Sequence, residues 1–228
     1  MLIDISAFSL FILISGRLGE LALAVSNMAL SINTLAFLPL IGLGIAAATL
    51  VGQYQGRGDS VTAALAARRS VTVGIVYVSV VGLTYILFPR VYFSFFTMRA
   101  EGGFTIDELM ISGRWMLIIM AIWGLFDAIN IILAGALKGA GDTRFVLIYS
   151  ALVSWGMWVP GVLLIVIVMK LGLLTMWLYA VLFVILLAAG YEIRFRGGKW
   201  KSIEVIETPL PPASTRTGAE AMAVSGDA

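Results

Sequence analysis

The sequence predicts an all-α membrane protein with six transmembrane helices. Of its 228 residues, 61% are hydrophobic and only 12% are charged, and the mean hydropathy is +1.02. A soluble domain is about half apolar even with glycine counted, whereas here 24 glycines come in addition. The composition therefore excludes a soluble globule, a disordered chain and a nucleic-acid-binding protein.

Six apolar runs are long enough, or nearly so, to cross about 30 Å of hydrocarbon. They are too long for barrel strands and are predicted to be helices, because lipid offers the backbone no hydrogen-bond partner. Pro39 predicts a kink in the second run, and the short turn 170–172 predicts an antiparallel last pair. The runs are 2–15, 24–52, 71–88, 115–134, 145–169 and 173–191.

Basic residues predict the orientation in a bacterial inner membrane. Six spans place both termini on one side, and the cytoplasmic side is expected to carry more Lys and Arg. With both termini inside, ten of the 15 basic residues are cytoplasmic. These are Arg57, Arg68, Arg69, Lys138, Arg144, Arg194, Arg196, Lys199, Lys201 and Arg216. The outer stretch 92–96 is aromatic and fits an interfacial belt, with contact to protein as the alternative.

The composition divides the chain into a transmembrane lobe, 1–191, and a cytoplasmic segment, 192–228. Residues 192–201 are basic and suit anionic lipid headgroups. The rest, beginning near Pro209, is predicted to be disordered. The first run spans only about 22 Å from Met1 to residue 15, which predicts a truncated first helix and a chain that is part of a longer protein. Local thinning of the bilayer is the alternative.

Two carboxyl groups are predicted near the middle of the membrane. Counting 1.5 Å per residue from the outer end of each run, Asp127 lies about 18 Å deep and Asp4 about 17 Å. A charge at such depth costs about 3 kcal/mol, so an ion-binding or proton-relay role is the first hypothesis. The two groups could share a monovalent cation such as Na+, or one could carry a proton. Packing alone is the competing interpretation for both.

Other polar residues lie near these depths. Asn130 follows Asp127 by three residues, so its amide could complete an oxygen cage or hydrogen-bond a neighbouring helix. Asn27, Ser31 and Thr34 recur at helical spacing, with Asn33 beside them. These four and Asn130 are candidates for lining an aqueous cavity, although Ser and Thr also join helices within membranes.

Two turns share a pattern, Gly56-Arg57-Gly58-Asp59 and Gly139-Ala140-Gly141-Asp142. Glycine ends a helix and aspartate can cap the next one, so both turns are predicted to be structural. A phosphate-binding loop is the weaker alternative, because no strand precedes either turn. The recurrence also suggests an internal repeat of helical hairpins.

Missing residue types limit the chemistry. The chain has no Cys and no His, which excludes thiolate chemistry and removes the commonest general base and zinc ligand. The sequence therefore predicts no enzyme, no cofactor and no metal site other than a Na+ site at Asp4 and Asp127.

Three segments resemble the MATE (multidrug and toxic compound extrusion) transporters. Residues 26–39 and 42–53 are similar to that family's eighth helix, and 135–144 to its loop between helices ten and eleven. Pro160 lies where the eleventh helix commonly has a proline. The resemblance covers about residues 2–200. It implies one six-helix lobe of a twelve-helix transporter that exports amphipathic organic cations, driven by Na+ or H+. Asp4 and Asp127 match the acidic residues of the family's cation site.

The resemblance also implies that a lobe is missing. Alternating access needs two bundles around a shared site, so we expect this chain to need an amino-terminal lobe from a second polypeptide, or a second copy of itself. A non-transporting membrane component, or a relic of such a transporter, is the alternative. A lipid-linked-sugar flippase ranks lower, because no Lys or Arg lies well inside a predicted span.

Overall fold

The computed structural model describes residues 12, 14, 16–97 and 106–203, and every regular element within them is helical. Short 3-10 turns, Gly16–Leu18 and Lys199–Ser202, lie near the two ends of this part of the chain. The helices are α1 Glu20–Gly56, α2 Ser60–Leu87, α3 Pro89–Thr97, α4 Ile106–Gly139, α5 Thr143–Val168 and α6 Leu173–Arg196.

Five of these helices are long and apolar enough to cross a membrane, namely α1, α2, α4, α5 and α6. They coincide with the second to sixth predicted runs, and the prediction of membrane helices is confirmed for those five. The first predicted run, 2–15, lies outside the described residues except at Ile12 and Ile14.

The helices extend beyond the apolar runs that predicted them. Helix α2 begins at Ser60 rather than at residue 71, and α4 begins at Ile106 rather than at 115. At 1.5 Å per residue α4 is about 51 Å long, well over the roughly 30 Å of a hydrocarbon core. An apolar run measures the thickness of the hydrocarbon, whereas backbone hydrogen bonding continues past it into hydrated sequence.

Helices α1 and α5 each contain a proline, and the local helix type around the two prolines differs. Pro39 lies inside α1, which is assigned as a continuous α-helix. Pro160 lies in a short α-helical stretch of α5 between two π-helical turns, Ser154–Trp158 and Leu164–Val168. Because proline has no backbone N–H and its ring crowds the preceding turn, local widening of α5 is the expected accommodation.

Helix α4 is central and packs against α1, α2 and α6. Its approach to α1 is set by glycine. A Cβ at Gly135 would collide with the Gly44 carbonyl oxygen, and one at Gly139 with that of Ala48. Small residues let membrane helices meet backbone to backbone, so α1 and α4 form a tightly joined pair.

The short helix α3 changes the interpretation of the aromatic stretch 92–96. The Phe93 side chain is fully buried, and its ring occupies the space that a Cβ at Gly113 of α4 would need. The Tyr92 hydroxyl lies 2.7 Å from that of Thr84, and its ring meets the Tyr85 ring edge-on. The predicted alternative, contact with protein, is therefore confirmed for Phe93 and Tyr92, and the interfacial belt stays a prediction.

The two glycine-aspartate turns have the same backbone. Gly58 and Gly141 both adopt positive φ, 76° and 87°. Asp59 N–H donates to the Tyr54 carbonyl and Asp142 N–H to that of Leu137, both at 2.9 Å, the long bond of a Schellman motif. The predicted structural role of the turns is confirmed, and α1–α2 and α4–α5 are joined by equivalent turns.

The aspartate side chains of the two turns act differently. The Asp59 carboxylate accepts a 2.9 Å hydrogen bond from Thr62 N–H and caps α2. Asp142 makes no such bond at the start of α5. Its carboxylate instead accepts bonds of 2.7 Å and 3.2 Å from Arg194 of α6. Capping is thus right for Asp59 and wrong for Asp142, because a guanidinium with two parallel donors competes successfully for the carboxylate.

The segment after α6 folds back onto the helix ends. Trp200 is fully buried and stacks on Phe195 at 4.9 Å between ring centroids. The Gln55 amide of α1 donates a 2.8 Å bond to the Lys201 carbonyl. The basic stretch 192–201 is partly used inside the protein, since Arg194 pairs with Asp142 and Arg196 with Glu192. The predicted disordered tail lies beyond the described residues.

Candidate functional site

Asp127 is buried within the apolar part of α4. Its residue exposure is 6%, and it lies about 18 Å along the helix from Gly139. The Asn130 amide donates a 2.9 Å hydrogen bond to its Oδ1. The carboxylate is therefore buried inside the helix bundle, and Asn130 supplies its side-chain hydrogen bond.

Asp127 lines a narrow cleft between α1, α2 and α4. The cleft contains about 310 Å³ of empty space, including the part open to the surroundings. Asn33 of α1 is the predicted cavity-lining residue that the structure brings to the same cleft, and Tyr85 of α2 completes its polar lining. The remaining lining residues are apolar or glycine: Ala36, Phe37, Leu40, Val78, Val81, Gly82, Met120, Ala121 and Gly124.

The other four predicted cavity residues do not line this cleft. Asn27, Ser31 and Thr34 are exposed on another face of α1. The Ser31 and Thr34 hydroxyls each donate a 2.8 Å bond to the backbone carbonyl four residues earlier in their own helix. Neither hydroxyl joins α1 to another described helix by these bonds. Asn130 likewise bonds within its own helix, to Asp127, and not across a helix interface.

Asp4, the second predicted carboxyl, lies outside the described residues. Among the described residues, no group of three or more acidic side chains could hold a metal ion. The polar groups that the structure places at this site are thus the Asp127 carboxylate, the Asn33 and Asn130 amides and the Tyr85 hydroxyl.

Tyr85 was not predicted from the sequence. It is 3% exposed, and its hydroxyl lies 3.4 Å from the Ile32 carbonyl of α1. A tyrosine in an apolar span is unremarkable by itself, and only the register between α1 and α2 brings it to the cleft. To find Tyr85 from the sequence, one would have to know which face of α2 packs on α4.

A buried polar contact beside the cleft also escaped the sequence. The rings of Trp123 and Trp177, on α4 and α6, lie 5.8 Å apart between centroids. The Trp177 indole N–H donates a 3.1 Å bond to the Ser26 hydroxyl of α1. Ser26 is separated from Trp177 by 151 residues, so no local pattern could reveal the pair. These contacts connect α4 to α6 and α6 to α1, and Trp123 lies one helical turn before Asp127.

Comparison with known proteins relates the chain to the MatE family and to proteins named as multidrug resistance proteins. The MatE family model matches residues 1–164 of the chain. A probable multidrug resistance protein NorM of Brucella suis is 28% identical over 158 residues, 69% of this chain and 33% of that protein. The one of Thermotoga maritima is 27% identical over 188 residues, 82% and 39% of the two chains. That of Bradyrhizobium diazoefficiens is 26% identical over 196 residues, 86% and 41%.

The chain spans about a third to two-fifths of the length of these curated relatives. No solved structure matches it. The family match covers the cleft helices α1, α2 and α4 together with most of α5. With five membrane-length apolar helices, the chain is an integral membrane protein that belongs to the MatE family.

Proposed function

We propose that residues 1–191 form the carboxy-terminal six-helix lobe of a cation-coupled multidrug efflux antiporter. The twelve-helix architecture, the missing amino-terminal lobe and the disordered cytoplasmic tail within 192–228 belong to this proposal. Its support is the family match, the relatives named as multidrug resistance proteins, and the share of their length that the chain spans. The substrates would be amphipathic organic cations, and the protein is a transporter rather than an enzyme.

The observation that carries the proposal is the burial of Asp127 beside a narrow cleft. An ionisable group in the hydrocarbon is costly and is rarely kept for packing alone. Neutralisation by a proton or a bound cation removes much of that cost. Hard cations take oxygen ligands, and both Asp127 and Asn33, whose side chains carry oxygen atoms, line the cleft. We assign Asp127 as the coupling residue for Na+ or H+, with Asp4 as its second carboxyl.

Transport requires the partner lobe in this scheme. Alternating access moves one bundle against another around a shared site. The exposed face of α1 carries Asn27, Ser31 and Thr34, polar residues that would face an aqueous cavity once a second lobe is opposite. The lobe would lie in a bacterial inner membrane with both termini cytoplasmic, as the distribution of Lys and Arg favours.

A non-transporting membrane component, or a relic of such a transporter, is the alternative function. The two functions differ at Asp127, since a component without a transport cycle has no need for cation-dependent chemistry at this carboxylate.

Direct binding tests the assignment without requiring transport. The purified full chain is reconstituted in liposomes, and retention of radioactive Na+ and infrared titration of protonated carboxyl groups are measured. Asp127→Asn is expected to lower Na+ retention at least tenfold or to remove one titrating carboxyl band. Asp107→Asn is the matched control, an exposed acid in the first turn of the same helix. Unchanged Na+ retention and an unchanged titration in Asp127→Asn would overturn the coupling assignment.

Efflux from cells tests the half-transporter part separately. Cells lacking their own exporters, and expressing only this chain, are expected to accumulate ethidium as fast as cells with an empty vector. Ethidium efflux that appears with this chain alone and disappears with Asp127→Asn would contradict the requirement for a second lobe, while still supporting Asp127 as the coupling residue.

A further inference from the structure

A second, wider groove runs between α5 and α6 near the 3-10 turn Lys199–Ser202. It contains about 950 Å³ of space, including the part open to the surroundings. Its apolar lining includes Tyr149 of α5 and Leu186, Ala189 and Ile193 of α6. Ile193 is 72% exposed and Leu186 is 37% exposed. The groove is thus an apolar channel on the outside of two membrane-length helices.

One end of the groove is cationic. Arg194 and Lys199 both line it, and Lys199 is exposed. The Arg194 guanidinium is fixed in place by two hydrogen bonds to Asp142 and by the Phe145 ring, 4.7 Å from its Cζ to the ring centroid. A guanidinium has five N–H donors, so donors remain beyond the two bonds to Asp142. The groove therefore has an apolar wall and, at one end, the fixed Arg194 guanidinium and the exposed Lys199 ammonium.

We propose that this groove binds one anionic phospholipid, with an acyl chain along α5 and α6 and the headgroup phosphate against Lys199 and Arg194. The site is separate from the Asp127 cleft, shares no lining residue with it, and does not depend on the proposed transport function. The lipid comes from the leaflet at the end of the bundle that carries the two glycine-aspartate turns.

Several features select this occupant. The apolar wall belongs to helices whose outer surfaces face acyl chains, and the basic rim lies where α6 ends at Arg196. Basic side chains at that level attract anionic lipids by about 1 kcal/mol each. The Asp142 charge is already paired with Arg194. No acidic side chain of the described residues forms an ion pair with Lys199, so the ligand would balance its charge. An organic cation is disfavoured because the same two side chains would repel it.

Native mass spectrometry of the full chain tests the site. The purified protein is incubated with equal amounts of phosphatidylglycerol and phosphatidylcholine, and the retained lipids are counted. The wild type is expected to retain one phosphatidylglycerol in preference to phosphatidylcholine. Lys199→Gln should lower that preference about fivefold. Ala189→Trp, which places a large ring on the groove wall, should abolish it.

Lys138→Gln is the matched control, since Lys138 is an exposed lysine at the same end of the bundle but does not line the groove. It should leave the preference for phosphatidylglycerol unchanged, and thermal unfolding of all three variants should match the wild type. Equal retention of both lipids by the wild type would overturn the proposal. So would an equal effect of Lys138→Gln and Lys199→Gln, which would mean diffuse surface attraction, or full competition by inorganic phosphate, which would mean a site for free anions.

Discussion

The Tyr149 ring of α5 lies in the space that a Cβ at Gly190 of α6 would occupy, and its hydroxyl donates a 2.6 Å hydrogen bond to the Leu186 carbonyl. The reverse arrangement occurs further along the same pair of helices. Tyr179 of α6 fills the space at Gly161 of α5, and its hydroxyl donates a 2.7 Å bond to the Met157 carbonyl. In both cases the accepting carbonyl precedes the glycine by four residues, so α5 and α6 hold each other by the same contact in both directions.

Adding a methyl group at Gly190 should weaken this pairing. Gly190→Ala would force the Tyr149 ring to move, and overpacking of this kind costs about 1–3 kcal/mol of unfolding free energy. Gly156→Ala, in open space on α5, is the control and should change stability by less than about 0.5 kcal/mol. Denaturant titration in detergent micelles measures both.

The double variant Gly190→Ala with Tyr149→Ala tests the contact directly. It should cost less than the sum of the single changes, because the alanine methyl group at position 190 no longer meets the Tyr149 ring. Strict additivity would contradict the contact.

Contact between α1 and α4 should be equally sensitive to size. Gly139→Ala places a methyl group against the Ala48 carbonyl oxygen, and separation of two packed backbones should cost about 1–3 kcal/mol. Gly42→Ala on α1 meets nothing within 4 Å and should leave stability unchanged or raise it by up to about 1 kcal/mol, since alanine favours helix. Thermal unfolding followed by circular dichroism provides the comparison. An equal Tm for the two variants would show that the helices do not meet at Gly139.

The ion pair between Arg194 and Asp142 should contribute more than an exposed pair. Arg194→Gln leaves the Asp142 carboxylate, 6% exposed, without its guanidinium, and the expected loss is about 3 kcal/mol, the low end for a buried pair. Arg90→Gln breaks a 3.4 Å pair with Asp107 in which both side chains are more than three-quarters exposed, and should cost less than about 1 kcal/mol. The free energy of unfolding in micelles, at low and high salt, measures both. Comparable losses would contradict the assigned difference in burial.

The Asp59 cap should make stability depend on pH. Hydrogen bonds from Thr62, through its side chain and its backbone N–H, hold the pKa of the Asp59 carboxyl below its ordinary value. A lowered folded-state pKa means that the cap stabilises the protein above the ordinary Asp pKa of about 3.9 and is lost as pH falls below it. Asp59→Asn keeps a capping oxygen without the titration. We expect the Tm difference between wild type and Asp59→Asn to change below about pH 4, and Asp59→Ala to unfold earlier at neutral pH. A pH-independent difference would contradict the cap.

Sequence patterns predicted the five described membrane helices because long apolar runs have few alternatives in lipid. They also predicted that Asp127 lies within an apolar span, and the structure buries it there; its role as a site stays a prediction. Helix ends were predicted less well. Residues 60–70 are helical although they include charged Arg68 and Arg69, since hydration beyond the hydrocarbon does not oppose helix formation.

Partners across helices could not be predicted. Arg194 lies 52 residues from Asp142, and a capping role was the natural prediction because it needs only neighbouring residues. Asn33 and Asn27 looked equivalent in sequence. They are six residues apart, however, so their side chains point in directions about 120° apart around the helix. Only Asn33 therefore lines the Asp127 cleft. Which helical face meets which neighbour is decided by the glycine contacts, and these depend on all the helices at once.

The small residues around the cleft limit how far its width can change. Gly82 of α2 faces Ala121 of α4 across a gap that a Cβ would reduce to 3.0 Å, and both residues line the cleft. On its other side, α1 is held to α4 at Gly44 and Gly135. At these contacts the helices meet through small residues, so neither contact can tighten without a collision between the two helices. On the proposed assignment of Asp127, a cleft this narrow suits a small ion or a proton carried by water and leaves no room for a bulky aromatic compound.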